Sequence, residues 1–176
     1  MECKSLEEAF VKMGYDEFKE LEPSEIIFSQ DVFDQCKKNT CGSFGKNHAC
    51  PPNAGTETER KQRVLQYEKG YMISKIVPIR NRKEMMESME IVENCTKELR
   101  KILRGEKALV MGAGPCTVCN ECTALMGDEC RFPDRIQYSM EGSGIDVVRM
   151  SMNKKMTYNA GAGNVGYFTL VMYNEN

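Results

Sequence analysis

Long hydrophobic runs are absent from this sequence of 176 residues. No stretch approaches the roughly 20 consecutive apolar residues that a helix needs to cross a bilayer. The first residues, Met1 to Ser5, also lack the apolar segment of a signal peptide. The sequence therefore predicts neither a membrane span nor secretion, and we expect a cytoplasmic protein.

An excess of charge of either sign is also missing. The chain carries 24 basic and 26 acidic residues, a net charge of −2. It has no basic block with interleaved aromatic residues, which nucleic-acid binding would require. We therefore expect no nucleic-acid partner. The length suits one domain with its own hydrophobic core, so we expect a single domain over residues 1–176.

Cysteine, in contrast, is abundant: the chain has nine, most of them in two clusters. Cytosolic thiols are kept reduced and disulfides there are uncommon. The odd count and the clustering favour metal ligation over a disulfide scaffold.

The more regular cluster contains Cys116, Cys119 and Cys122 at a strict two-residue spacing, with Cys130 seven residues further on. A C-x2-C-x2-C loop turns three thiolates to one side, while its backbone N–H groups point at the sulfides of a bound cluster. This pattern predicts an iron–sulfur loop, although the distance to Cys130 differs from that in bacterial ferredoxins. Thiol–disulfide catalysis fits less well, because a third cysteine replaces the helix that normally follows C-x-x-C.

The other cluster, Cys36, Cys41 and Cys50, lies on a loop rich in glycine and proline. Long loops in compact domains tend to be functional or disordered, and this spacing allows the three sulfurs to converge. The only histidine, His48, lies in the same loop. It is a candidate ligand or proton donor, although a lone loop histidine is more often neither.

Seven candidate thiolates exceed the four that one centre uses, so we expect two [4Fe-4S] clusters. In one partition Cys130 completes the second group, and the three cysteines of the first leave one iron open to water, substrate or His48. In the other, Cys50 completes the second group, since it is followed by proline as in ferredoxins. Zinc is the alternative metal. Cys3 and Cys95 lack neighbouring cysteines at ligand spacing, so we assign them structural roles.

Periodicity and capping residues predict helices at 5–13, 56–69, 81–103 and 143–156, and extended segments at 17–22, 25–28, 71–79, 108–112 and 165–173. On the helix at 81–103 an apolar stripe includes Met85 and Met89. We assign the methionines to core filling. The alternation predicts an α/β fold, a small mixed sheet covered by helices, with two cysteine-rich metal-binding loops near strand ends.

Four segments of the chain resemble the DUF2284 family of predicted metal-binding proteins. They are CGSFGKNHACPP from Cys41, GAGPCTVCNEC from Gly112, CRFPD from Cys130 and SMEGSGIDV from Ser139. The resemblance runs from about Cys36 to the final strand. It implies metal binding, with iron–sulfur expected, through Cys36, Cys41, Cys50, Cys116, Cys119, Cys122 and Cys130.

Two classes of function follow from these observations. In the first, the clusters of a redox protein or enzyme serve electron transfer or small-molecule redox chemistry, with a redox partner or a small molecule as the second reactant. In the second, zinc stabilises a binding or regulatory module without catalytic turnover. The residues alone do not decide whether the protein is an enzyme.

Overall fold

The computed structural model describes residues 3–175. Its helices and strands alternate along the chain much as the sequence predicts. The helices are α1 (Cys3–Lys12), α2 (Gln30–Gln35), α3 (Glu57–Leu65), α4 (Arg82–Ile102) and α5 (Val147–Asn153), and the strands are β1 (Glu17–Leu21), β2 (Lys69–Pro78), β3 (Ala108–Met111) and β4 (Asn164–Tyr173). None of these helices has the length and apolar character that crossing a bilayer requires.

The four strands form one open sheet in the order β1-β2-β4-β3. The predicted small α/β fold with a helix-covered sheet is confirmed, but the ladders are all antiparallel rather than mixed. Strands β2 and β3, which α4 connects, do run in the same direction, as expected for a crossover. They are not neighbours, because β4 inserts between them and pairs with both.

Both faces of the sheet are buried. Along β4, Leu170 and Met172 point into one core, whereas Val171 and Tyr173 point into the other. This follows from the two-residue period of a strand. Helices α1 and α4 cover the second face through residues such as Leu6 and Leu99, and α3 and α5 cover the first.

Two predicted segments differ in the structure. The second extended segment, 25–28, is not a strand: Pro23–Glu25 forms a short 3-10 turn, and Phe28 makes only an isolated bridge to Ile145. The last predicted helix is shorter, because Gly144 has a positive φ of 80° and Asp146 caps α5 by accepting a hydrogen bond from Arg149.

Helix α4 buries only part of the predicted apolar stripe: Val92, Leu99 and Leu103 are buried as expected, but the methionines at its start are not. Its buried residues are Ser88, Val92, Thr96 and Leu99, whereas Met85, Met86 and Met89 are 42%, 63% and 51% exposed. Core filling is therefore wrong for these three methionines. The small residues Ser88 and Thr96 let the helix lie close to the sheet, and a hydropathy pattern does not rank them as core.

Candidate metal centre

The first cysteine loop starts where α2 ends. A 3-10 turn, Cys36–Lys38, ends at Asn39, whose φ is 52°. The side chain of Asn39 accepts a hydrogen bond from the Phe44 N–H at 3.0 Å. Further along, the Gly45 N–H donates to the Pro51 carbonyl at 2.8 Å. These bonds fold the loop back on itself, so that its start and its end lie near each other.

Asn47, which is not among the predicted site residues, holds the end of this loop. It is 5% exposed, and its side chain accepts a hydrogen bond from the Ala49 N–H at 3.0 Å. Burial raises the pKa of the Cys50 thiol, and a hydrogen bond with the Asn47 side chain partly opposes that effect. A short loop asparagine that turns the backbone by binding an N–H two residues on is a known turn signal, and it was the available clue.

The second cysteine loop leaves the sheet after β3 and returns to the same point. Its base is closed by a parallel bridge between Gly112 and Ser139. Near its start, the Thr117 hydroxyl donates to Glu93 of α4 at 2.6 Å. Further along, the Arg131 guanidinium donates to the Glu121 carbonyl at 3.2 Å. The loop is thus anchored both to the sheet and to α4.

All four cysteines of this loop line one cavity. Its walls are formed by Cys116, Cys119, Cys122 and Cys130 together with His48, Val118, Phe132 and Ile136. The structure therefore brings Cys130 to the other three despite its longer spacing. The apolar side chains limit water at the thiols, which is the setting that tunes metal centres in proteins.

The two cysteine loops meet at Cys50. The electrostatic neighbours of its thiol are Cys41 on its own loop and Cys116 and Cys122 on the other. On the far side of the first group, burial raises the pKa of Cys36, and the nearby charges of Cys41, Cys50 and Glu141 act in the same direction. The thiols of the first group are therefore electrostatic neighbours of one another, and Cys50 is also a neighbour of the second group.

His48 reaches across to the second loop. Its Nε2 lies 3.2 Å from the Thr123 hydroxyl oxygen, and that hydroxyl donates to the Glu129 carbonyl at 2.8 Å. A hydroxyl has one hydrogen to give, so Nε2 must carry the hydrogen of the His48–Thr123 bond. Only Nδ1 is then left to bind a metal or accept a proton. The ring forms part of the second cavity, which argues against His48 as the missing ligand of the first group.

Two charged residues near the thiols were not anticipated from the sequence. Glu141 is half-buried, and burial raises the pKa of its carboxyl. Arg100 of α4 donates to the Val110 carbonyl at 3.2 Å. Burial lowers the pKa of Arg100, while the charge of nearby Cys116 acts to raise it. Neither residue lies at a recognisable spacing from a cysteine, so only the fold brings them to the site.

Every cysteine whose side chain is described is a free thiol. Within the described part of the chain, no three His, Cys, Asp or Glu side chains stand close enough to hold one metal ion. Cys95 lies apart from the loops, with its thiol 3.8 Å from the Met13 carbonyl and packed into the core under α1 and α4. The side chain of Cys3 lies outside the described residues.

Fold and site together define a small α/β protein with seven cysteines on two adjoining loops. A family model described as "Predicted metal-binding protein (DUF2284)" matches residues 19–173. The chain therefore belongs to the DUF2284 family, as the sequence resemblance predicted. No curated protein and no solved structure matches the chain.

Proposed function

We propose that this protein holds two [4Fe-4S] clusters and acts in electron transfer or small-molecule redox chemistry. The observation that carries the proposal is the cavity shared by Cys116, Cys119, Cys122 and Cys130. Four thiols on one tight loop form the donor set that such a cluster uses, and membership of a metal-binding family agrees with it.

The cavity also favours one partition of the cysteines over the other. Cys130 lies in its wall with the rest of the second group, whereas Cys50 does not. We therefore assign Cys130 as the fourth ligand of that centre, and Cys36, Cys41 and Cys50 to a second centre. Bound clusters supply one-electron transfer, and a centre with three cysteines also leaves an iron free to act as a Lewis acid.

The chain's own residues give the two centres different surroundings. Val118, Phe132 and Ile136 enclose the four-cysteine cavity, while Cys41 of the first group is exposed. Cys41 is therefore the thiol of the first group that a small molecule reaches most easily, since Cys50 is buried. Cys50 has electrostatic neighbours in both groups, which supports electron transfer between the two centres.

Spectroscopy of the anaerobic, dithionite-reduced protein tests this division of roles. Dithionite should bleach the visible absorption reversibly, and added cyanide should change the electron paramagnetic resonance signal of one centre only. In Cys130→Ser the cyanide-sensitive signal should remain. If neither centre responds to cyanide, or if one responds only after His48→Ala, the protein is a closed electron carrier and the open site is wrong.

A zinc-stabilised module without turnover is the second candidate. A single zinc ion draws four thiolates to about 2.3 Å from itself. The four cysteines that line the cavity of the second loop equal that number. A colourless protein that does not respond to dithionite would establish this candidate.

A further inference from the structure

A small polar cavity lies between α2, α3 and the turn before α5, outside both cysteine groups. Its volume is about 30 Å³, room for roughly two water molecules. The lining residues are Phe28, Ser29, Gln30, Glu57, Arg60, Lys61, Ser143 and Gly144. None of the cysteine ligands assigned above belongs to this set.

Arg60 brings a buried positive charge to this cavity. The residue is only 5% exposed, and its guanidinium lies 3.5 Å from the centre of the Phe33 ring. One nitrogen donates to the Gly55 carbonyl at 2.8 Å. The Nε atom is buried without any hydrogen-bond partner. An unmet buried donor on a charged group is costly, so a ligand that supplies an acceptor would be stabilised here.

The carboxylates nearest to Arg60 are already paired with other cations. Glu57 accepts from Lys61 at 2.6 Å, and Asp34 pairs with Lys37 at 2.7 Å. Among the described residues, no carboxylate forms an ion pair with Arg60 itself. With Glu57 and Lys61 cancelling each other, the cavity keeps the net positive charge of Arg60.

Ser143, which also lines the cavity, adds a second unmet group. It is 1% exposed, and its hydroxyl is buried without a partner. A hydroxyl and a guanidinium are both donors, and together they suit an oxygen that bears negative charge. An apolar ligand would leave both unmet, and a cation would be repelled by Arg60.

We propose that this cavity binds the carboxylate or phosphate group of a small anionic ligand. Arg60 supplies the charge and Ser143 a hydrogen bond, while the rest of the ligand extends from the mouth of the cavity. Phe33, against which Arg60 packs, lies on α2, which leads into Cys36 of the first cysteine loop. The site does not depend on any metal, so its test is separate from that of the clusters.

Isothermal titration of the full-length protein with inorganic phosphate and with acetate, in chloride buffer of constant ionic strength, tests the proposal. Wild type should bind at least one of them saturably, and Ser143→Ala should bind about tenfold more weakly because a hydrogen bond to a charged group is lost. Binding of phosphate alone would assign a phosphorylated ligand. Binding of acetate would assign a carboxylate.

Two control variants are matched to the test variants: Ser151→Ala to Ser143→Ala, and Arg149→Gln to Arg60→Gln. Ser151→Ala removes a buried hydroxyl that already has a partner, the Val148 carbonyl at 2.7 Å, and it should not affect anion binding. Arg149→Gln removes one exposed positive charge and should also bind like wild type. Arg60→Gln should abolish binding, provided that its circular dichroism is native.

The proposal is overturned if wild type shows no saturable binding of either anion. It is equally overturned if Ser143→Ala binds as tightly as wild type, or if Ser151→Ala loses as much affinity as Ser143→Ala. Without anions, Ser143→Ala should be at least as stable as wild type, since its hydroxyl has no partner to lose.

Discussion

Two residues of the first loop, Cys50 and His48, connect it with the second. The Cys50 thiol has other cysteines as electrostatic neighbours on both loops, and His48 donates a hydrogen bond to Thr123. Their sequence position shows only that they belong to the first loop. The direction in which each side chain points depends on how the loops pack, and no local pattern encodes it.

The Thr123 hydroxyl should be important for keeping the loops together. Thr123→Val removes the acceptor for His48 and the donor for the Glu129 carbonyl, while keeping the shape of the side chain. Because Thr123 is 7% exposed, we expect the free energy of unfolding to fall by about 1–3 kcal/mol. Urea unfolding measures this change. Thr123→Ser keeps the hydroxyl and should lose much less, and equal losses in the two variants would contradict the assignment.

Gly142, in the turn before α5, lies close to the first cysteine loop. A Cβ on this residue would lie 2.7 Å from the Ser139 hydroxyl oxygen and 3.5 Å from the Ala49 carbonyl oxygen. The Gly142 N–H donates to that same hydroxyl at 3.0 Å, so the hydroxyl cannot move away without breaking the bond. We expect Gly142→Ala to cost about 1–3 kcal/mol of unfolding free energy.

Urea unfolding of Gly142→Ala beside Gly166→Ala provides the comparison. A Cβ on Gly166 would have its nearest neighbour at 3.7 Å, an ordinary contact, and alanine suits a strand better than glycine does. Gly166→Ala should therefore leave stability unchanged or raise it slightly. If Gly142→Ala is as stable as Gly166→Ala, the turn does not constrain the first cysteine loop.

At the scale of elements, helix and strand positions followed from the sequence better than the faces they bury. The predicted helix 81–103 is α4, Arg82–Ile102, because Asn81 caps it by accepting from the Glu84 N–H. Its exposed methionines show the weakness of apolar periodicity, since the sheet selects Ser88 and Thr96 for contact. Similarly, the strand order depends on β4 inserting between β2 and β3, a long-range pairing that no local pattern specifies.

An ion pair connects two elements far apart in sequence, the turn Pro23–Glu25 and the end of α5. Lys154 donates to the Glu25 carboxylate at 2.6 Å. This bond holds the pKa of Glu25 below its usual value of 4.5, and a hydrogen bond from the Glu22 backbone N–H contributes a smaller lowering. The folded state thus favours the charged carboxylate of Glu25. The stability that this pair contributes is fully present above the pKa of the unfolded chain, and it is lost as pH falls through the lowered pKa of the folded protein.

We therefore expect Glu25→Gln to be less stable than wild type at neutral pH, by at most about 1 kcal/mol for so exposed a pair. The difference should shrink as pH falls below 4.5. Urea unfolding of both proteins over a pH series measures it. Glu90→Gln, a change at an exposed position of α4, serves as the control. A difference that grows toward acid pH would contradict the sign argued here.

On the scale of the whole molecule, the sheet and its two helical layers act as a frame that brings the two cysteine loops together. The regular spacing of Cys116, Cys119 and Cys122 made the second group predictable from the sequence. That Cys130 and His48 line the same cavity depends on how the chain folds, and the spacing of the cysteines does not show it. Arg60 and Ser143 are 83 positions apart, which is why the anion cavity has no signature in the sequence.

The central claim is that the second loop holds an iron–sulfur cluster, and metal analysis of protein prepared without oxygen tests it most directly. Iron, acid-labile sulfide and zinc should be measured together in wild type, Cys119→Ser and Cys95→Ala. We predict iron and sulfide in wild type, a loss of both from one centre in Cys119→Ser, with destabilisation because metal binding is coupled to folding, and no change in Cys95→Ala. Stoichiometric zinc without sulfide in the wild-type protein would contradict the claim.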